Sequence, residues 1–155
     1  MIINSINIFR YRIPFINAQY GKGQDNAHGA LLSIDIEGTD LGWGEISFID
    51  TRKLQAFEHL VWQIEKFKLA VINEELSFDE IISLVPIHVQ SANTRFALEL
   101  ALYDCYSRTL LKPLSKTIKD DAEQSISING LYGSGIDISS FDTISSTPSS
   151  IVRDL

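Results

Sequence analysis

The chain is short of most groups that would announce a chemistry. Its one cysteine, Cys105, excludes an internal disulfide, and among apolar helical neighbours its thiol reads as a small hydrophobe. His28, His59 and His88 have no Cys or His partner at metal-ligand spacing, and no His-Glu-x-x-His occurs, so a zinc site is not expected. His59 reads as a solvated helix residue. No apolar run approaches the roughly 20 residues that cross a bilayer, and Met1-Ile2-Ile3-Asn4 opens no basic-then-apolar leader. The expected location is therefore cytoplasmic, with no membrane partner. Lysine and arginine number 13 against 20 acids, a net charge of -7 with no basic cluster, so nucleic acid is not an expected partner. Gly21-Lys22-Gly23-Gln24-Asp25-Asn26 begins like a dinucleotide fingerprint but lacks the third glycine and runs into a strand, which argues against a nucleotide site.

What is present suits one sizeable core: 155 residues, 45% hydrophobic and 21% charged. Ile2 to Phe15 reads as a strand ended by Pro14, with Ile3, Ser5, Asn7, Phe9, Tyr11 and Ile13 on one side and Ile6, Ile8 and Arg12 on the other. Asn17 to Gly29 carries turn-forming residues and no apolar period, which predicts a loop. Ala30 to Ile36 and Leu41 to Phe48 flank Glu37-Gly38-Thr39-Asp40, a hairpin signal that completes a three-stranded antiparallel meander.

Helical periodicity then takes over. Asp50 or Thr51 can cap a long helix whose apolar positions are Leu54, Phe57, Val61, Ile64 and Val71, with Arg52, Gln55, His59 and Lys66 opposite. A shorter helix is predicted over Phe78 to Leu84, stopping before Pro86. Ser91 or Asn93 can cap a third, apolar on nearly all sides, that ends before Lys112-Pro113. Its acids Glu99 and Asp104 need a cation or a helix end, and Arg95 stands four residues before Glu99. Ser125 to Tyr132 is strand-like, and from Gly133 the composition turns to Ser, Gly and Thr. Strands first and helices after give the class α+β.

Three segments in this order, Gly42-Trp43-Gly44-Glu45, Phe96-Ala97-Leu98-Glu99-Leu100-Ala101-Leu102-Tyr103-Asp104 and Lys112-Pro113-Leu114, resemble the N-terminal capping domain of the enolase superfamily, of the mandelate racemase/muconate lactonizing enzyme type. Ser125-Ile126-Ser127-Ile128-Asn129-Gly130-Leu131 is similar to the first barrel strand of o-succinylbenzoate synthases. The resemblance implies a cap over 1–120, the start of a TIM-type barrel, at most its first strand, over 121–132, and an irregular tail over 133–155, expected to reflect truncation or a shifted reading frame.

The resemblance also implies a chemistry: in menaquinone biosynthesis, a lysine removes the proton alpha to a carboxylate, and Mg2+ holds the enediolate before water is lost. A carbon acid of this kind needs a placed base and a hard cation together. In the family those groups come from later barrel strands, and this sequence has no lysine after Lys119 and no histidine after His88. The expectation is thus a lyase's cap, inactive alone, with no catalytic residue, metal ligand or cofactor of its own; its partners would be the barrel domain and, in the intact enzyme, a small carboxylate substrate. A dipeptide epimerase cap is the nearest alternative, and a free-standing protein-interaction module without catalysis is another. By resemblance, two cap loops, Asn17 to Ala30 and Ser47 to Thr51, close over the barrel mouth. Tyr20, Gly21, Gly23 and His28 in the first and Phe48 and Ile49 in the second are the substrate-specificity candidates, since a lid needs hinges and apolar cover. Glu45, ending a strand after two glycines, is expected to brace the turn rather than to react.

Overall fold

The structure, a computed structural model, describes residues 1–14, 26–48 and 57–123. The chain divides into two compact units, Met1–Gln124 and Ser125–Leu155, and the second lies outside the described residues, as do the first barrel strand and the tail expected there. Strands β1 (Ile3–Pro14), β2 (Asn26–Ile36) and β3 (Gly42–Phe48) form an antiparallel sheet in the order β1-β2-β3. Helices α1 (Phe57–Val71), α2 (Phe78–His88), α3 (Ala92–Thr109) and α4 (Leu114–Ile118) follow. This is the α+β meander-then-helices order expected from the sequence. Gly38 takes φ +81° in the β2–β3 turn, a backbone region that glycine enters without steric cost.

Alternation along the strands places the core on one side of the sheet. Ala30, Leu32, Ile34 and Ile36 of β2 and Ile46 of β3 are buried there with Phe57, Leu60, Ile64, Phe67 and Val71 of α1. In β1 the two faces assigned from sequence need correcting. Ile3 pairs with Ile36 but Ser5 with Asp35, so Asn4 is an extra residue, a bulge that reverses the alternation. Ile3 and Ile6 therefore both reach the core, whereas Phe9 and Ile13 stay exposed. A second correction concerns the first loop: Asn26 to Gly29 extend β2 and pair with Ile13, Arg12 and Tyr11 among others, because the ladder supplies these backbone groups with partners that a loop would lack.

The second helix runs four residues beyond its expected end and contains Pro86. Proline removes one N–H, but Val85 and Val89 are fully buried on either side of it. The Val89 N–H donates to the Val85 carbonyl at 2.8 Å, and Gln90 Nε2 donates to the Pro86 carbonyl at 2.9 Å. Burial of the second valine offsets the missing bond. At the start of α2, Ser77 Oγ accepts from the Glu80 N–H at 3.2 Å while the Glu80 carboxylate accepts from the Ser77 N–H at 2.8 Å, a reciprocal capping box. Glu80's pKa is lowered by the Ser77 hydroxyl and backbone bonds it accepts. The caps expected at Asp50 or Thr51 lie outside the described residues. Helix α4 is too short to carry a periodic signal; Pro113, which stops α3, is also its N-cap.

Candidate functional site

The sheet and α3 meet with almost no side chain between them. A Cβ added to Gly44 would overlap the Ala97 carbonyl oxygen, with the carbonyl carbon at 2.8 Å, and one added to Gly42 would overlap the Ala101 carbonyl and the Cys105 sulfur. Glycine in the strand and Ala97, Ala101 and Cys105 on one stripe of the helix are what allow the two backbones to touch. The Trp43 N–H between those glycines donates to Asp104 Oδ2 at 3.0 Å, and Arg108 holds the same carboxylate at 3.2 Å. Cys105 Sγ donates to the Ile34 carbonyl at 3.3 Å, and desolvation pushes the thiol's pKa up to about 11, so it behaves as the small hydrophobe expected. Two of the three sequence segments read together above, Gly42 to Glu45 and Phe96 to Asp104, thus form one joint. Asp104 finds its partners in Trp43 and Arg108; among the described residues no ion pair joins Arg95 to Glu99.

On the opposite face of the sheet, Tyr11 lies over Gly29, where any side chain would collide with the phenol, and its hydroxyl donates to Glu45 Oε1. Desolvation and that bond raise the Tyr11 pKa, and a bond from Ser47 partly opposes them. Glu45 is therefore a brace, as expected, but it acts across three strands through a tyrosine rather than on its own turn. The sequence signal available was the period-2 position of Tyr11; its partner on a strand more than thirty residues away carries no local signature.

This latch sits near the end of the sheet at which β1 finishes, β2 begins and β3 finishes. Of the six specificity candidates, Tyr20, Gly21, Gly23 and Ile49 lie outside the described residues, and Phe48 is placed only by its backbone at the last position of β3. His28 is half-buried in β2, at the register position between Arg12 of β1 and Phe48 of β3. The structure brings His28 and Phe48 to adjacent ladder positions. Arg10 lies beside this end: its guanidinium sits 4.3 Å over the Phe57 ring and pairs with Glu58 at 2.6 Å. Among the described residues no group of three or more His, Cys, Asp or Glu could hold a metal ion, so this part of the chain does not fit a magnesium centre. No described helix is long and apolar enough to cross a membrane.

Solved structures share this architecture. The L-Ala-D/L-Glu epimerase from Bacillus subtilis aligns with a TM-score of 0.51 at 20% identity, over 71% of this chain and 32% of its own. The fold is of the enolase N-terminal capping type. A dipeptide epimerase from Enterococcus faecalis V583 aligns with a TM-score of 0.56 at 20% identity, over 75% of this chain and 32% of its own. A protein from Roseovarius nubinhibens ISM, described as a mandelate racemase/muconate lactonizing enzyme, gives 0.62 at 20% identity, over 75% of this chain and 33% of its own. This capping-type chain thus matches only about a third of the length of each of these three proteins. No family model and no curated protein matches the sequence.

Proposed function

We infer that the chain serves as the cap of a mandelate racemase/muconate lactonizing-type enzyme that acts on a small carboxylate, with o-succinylbenzoate synthase the preferred parent and a dipeptide epimerase next. The observation that carries this reading is the joint of Gly42, Trp43 and Gly44 with Ala97, Ala101, Cys105 and Asp104, on a fold shared with two epimerases. Ser125 to Leu131 supports the synthase over the epimerase by resemblance alone. The lysine base and the magnesium ligands would come from a barrel, with 121–132 as its beginning.

In this role the cap closes the mouth and sets specificity. Tyr20, Gly21, Gly23, His28, Phe48 and Ile49 are its contact residues, flanked by Arg12, which suits a carboxylate. Excluding water there would strengthen the electrostatics of the barrel groups. The test supplies the chain in trans to the separately produced barrel portion of an o-succinylbenzoate synthase or of a dipeptide epimerase, with Mg2+, and measures both reactions. Turnover absent from either part alone and restored by mixing supports the reading, and the responding barrel identifies the parent. Turnover by the rigorously purified chain alone would overturn it.

A further inference from the structure

The start of α3 is built unlike the start of α2. It has no acid in its first turn, and the Ser91 side chain makes no capping bond. The buried Gln63 carbonyl oxygen accepts from the Gln90 N–H at 2.8 Å and the Ser91 N–H at 3.3 Å. The next three amides, of Ala92, Asn93 and Thr94, find no acceptor among the described residues; the Arg95 N–H is the first to bond back, to the Ser91 carbonyl at 2.8 Å. Unsatisfied first-turn amides concentrate partial positive charge at a helix N-terminus.

Two side chains add to this. Thr94 is fully buried, and its Oγ1 is the one buried side-chain polar atom without a hydrogen-bond partner among the described residues. At the third helical position its Cα–Cβ bond tilts toward the N-terminus. Arg95, half-buried in the same turn, has no ion-pair partner among the described residues. Positive charge belongs at the other end of a helix, and a cation added to this one without a counter-charge is unfavourable. We propose that the first turn of α3 is a binding site for an oxyanion, a carboxylate or a phosphoryl group, held by the amides of Ala92, Asn93 and Thr94, the Thr94 hydroxyl and the Arg95 guanidinium. Three donors, one hydroxyl and one cation at a helix start match the way backbone amides and arginine bind such groups elsewhere. Because Gly44 faces Ala97 and Gly42 faces Ala101, α3 runs antiparallel to β3, and the site lies toward the Phe48 end of the sheet. The inference rests on α3 alone and does not require the capping role.

The test titrates the full chain with inorganic phosphate and, separately, with acetate, at ionic strength held constant with chloride, while amide chemical shifts are followed. Saturable shifts at 92–94 are expected for at least one probe, and the tighter probe identifies the source of the oxyanion. Arg95→Gln is expected to weaken binding about tenfold while Arg95→Lys keeps most of it, and Thr94→Val to weaken it severalfold. Shifts that never saturate with either probe overturn the proposal, and so does saturation that Arg95→Gln and Thr94→Val leave unchanged. Circular dichroism of each variant separates lost binding from lost fold.

Discussion

Replacing Gly44 with alanine tests the joint between β3 and α3. The new methyl would meet the Ala97 carbonyl group, which is backbone and cannot rotate away, so the helix must lift from the strand. Overpacking of this kind costs about 1–3 kcal/mol. The upper part of that range applies, because lifting α3 also loosens Ala97, Ala101 and Cys105, all fully buried. With about 4 °C of melting temperature per kcal/mol for a domain of this size, Gly44→Ala should lower Tm by about 10 °C. Gly38→Ala is the control: nothing lies within 4 Å of its added Cβ, and the cost is only that of a φ of +81°, about 1 kcal/mol. Thermal denaturation followed by circular dichroism reads both. If Gly44→Ala melts within 2 °C of the wild type by this scale, or no lower than Gly38→Ala, the close contact does not exist.

Other expectations follow from single interactions. Asp104→Ala removes the acceptor of the Trp43 N–H, a bond open to solvent, and should cost about 0.5–1.5 kcal/mol, with faster hydrogen exchange at Trp43; Asp104→Asn keeps a carbonyl oxygen there and should cost less. Leu111, at φ 53° in the C-terminal cap of α3 and exposed to solvent, should be replaceable by glycine with a gain of about 0.5–1 kcal/mol in chemical denaturation. Glu80 has a folded pKa below its ordinary value of 4.5, so its contribution to stability is present above that value and lost as pH falls through the lower folded one; Glu80→Gln should flatten the acid limb of a stability profile. Tyr11 has a raised pKa, so stability is full below the ordinary value of 10.0 and lost as pH rises through the folded value. Tyr11→Phe should remove that alkaline loss.

The meander and the three main helices were legible because alternation and 3.6-residue periodicity recur over whole elements, as in Phe57, Ile64 and Val71; Leu60 and Phe67, rather than Val61, complete the buried face of α1. Legibility failed where one residue changed the outcome. The extra Asn4 reversed the facing of Ile3, a shift that no period can register. Pro86 signals a helix end, yet tertiary burial of Val89 carried α2 past it. Asn26 to Gly29 have poor strand propensity and were drawn into β2 by their ladder partners on β1 and β3. At the candidate site, Gly42, Gly44, Ala97, Ala101 and Asp104 stood out only through their resemblance to family segments; their physical reason, backbone contact between a strand and a helix more than fifty residues apart, needed the fold. The Tyr11–Glu45 latch was hidden for the same reason.

The most direct test of the capping role is a graft. Residues 1–123 replace the matching N-terminal segment of the Bacillus subtilis L-Ala-D/L-Glu epimerase, and epimerisation is compared with that of the same enzyme lacking the segment. The account predicts a folded chimera whose rate exceeds that of the capless enzyme by about tenfold or more, since a cap excludes water and completes the mouth. A well-folded chimera no faster than the capless enzyme would contradict it.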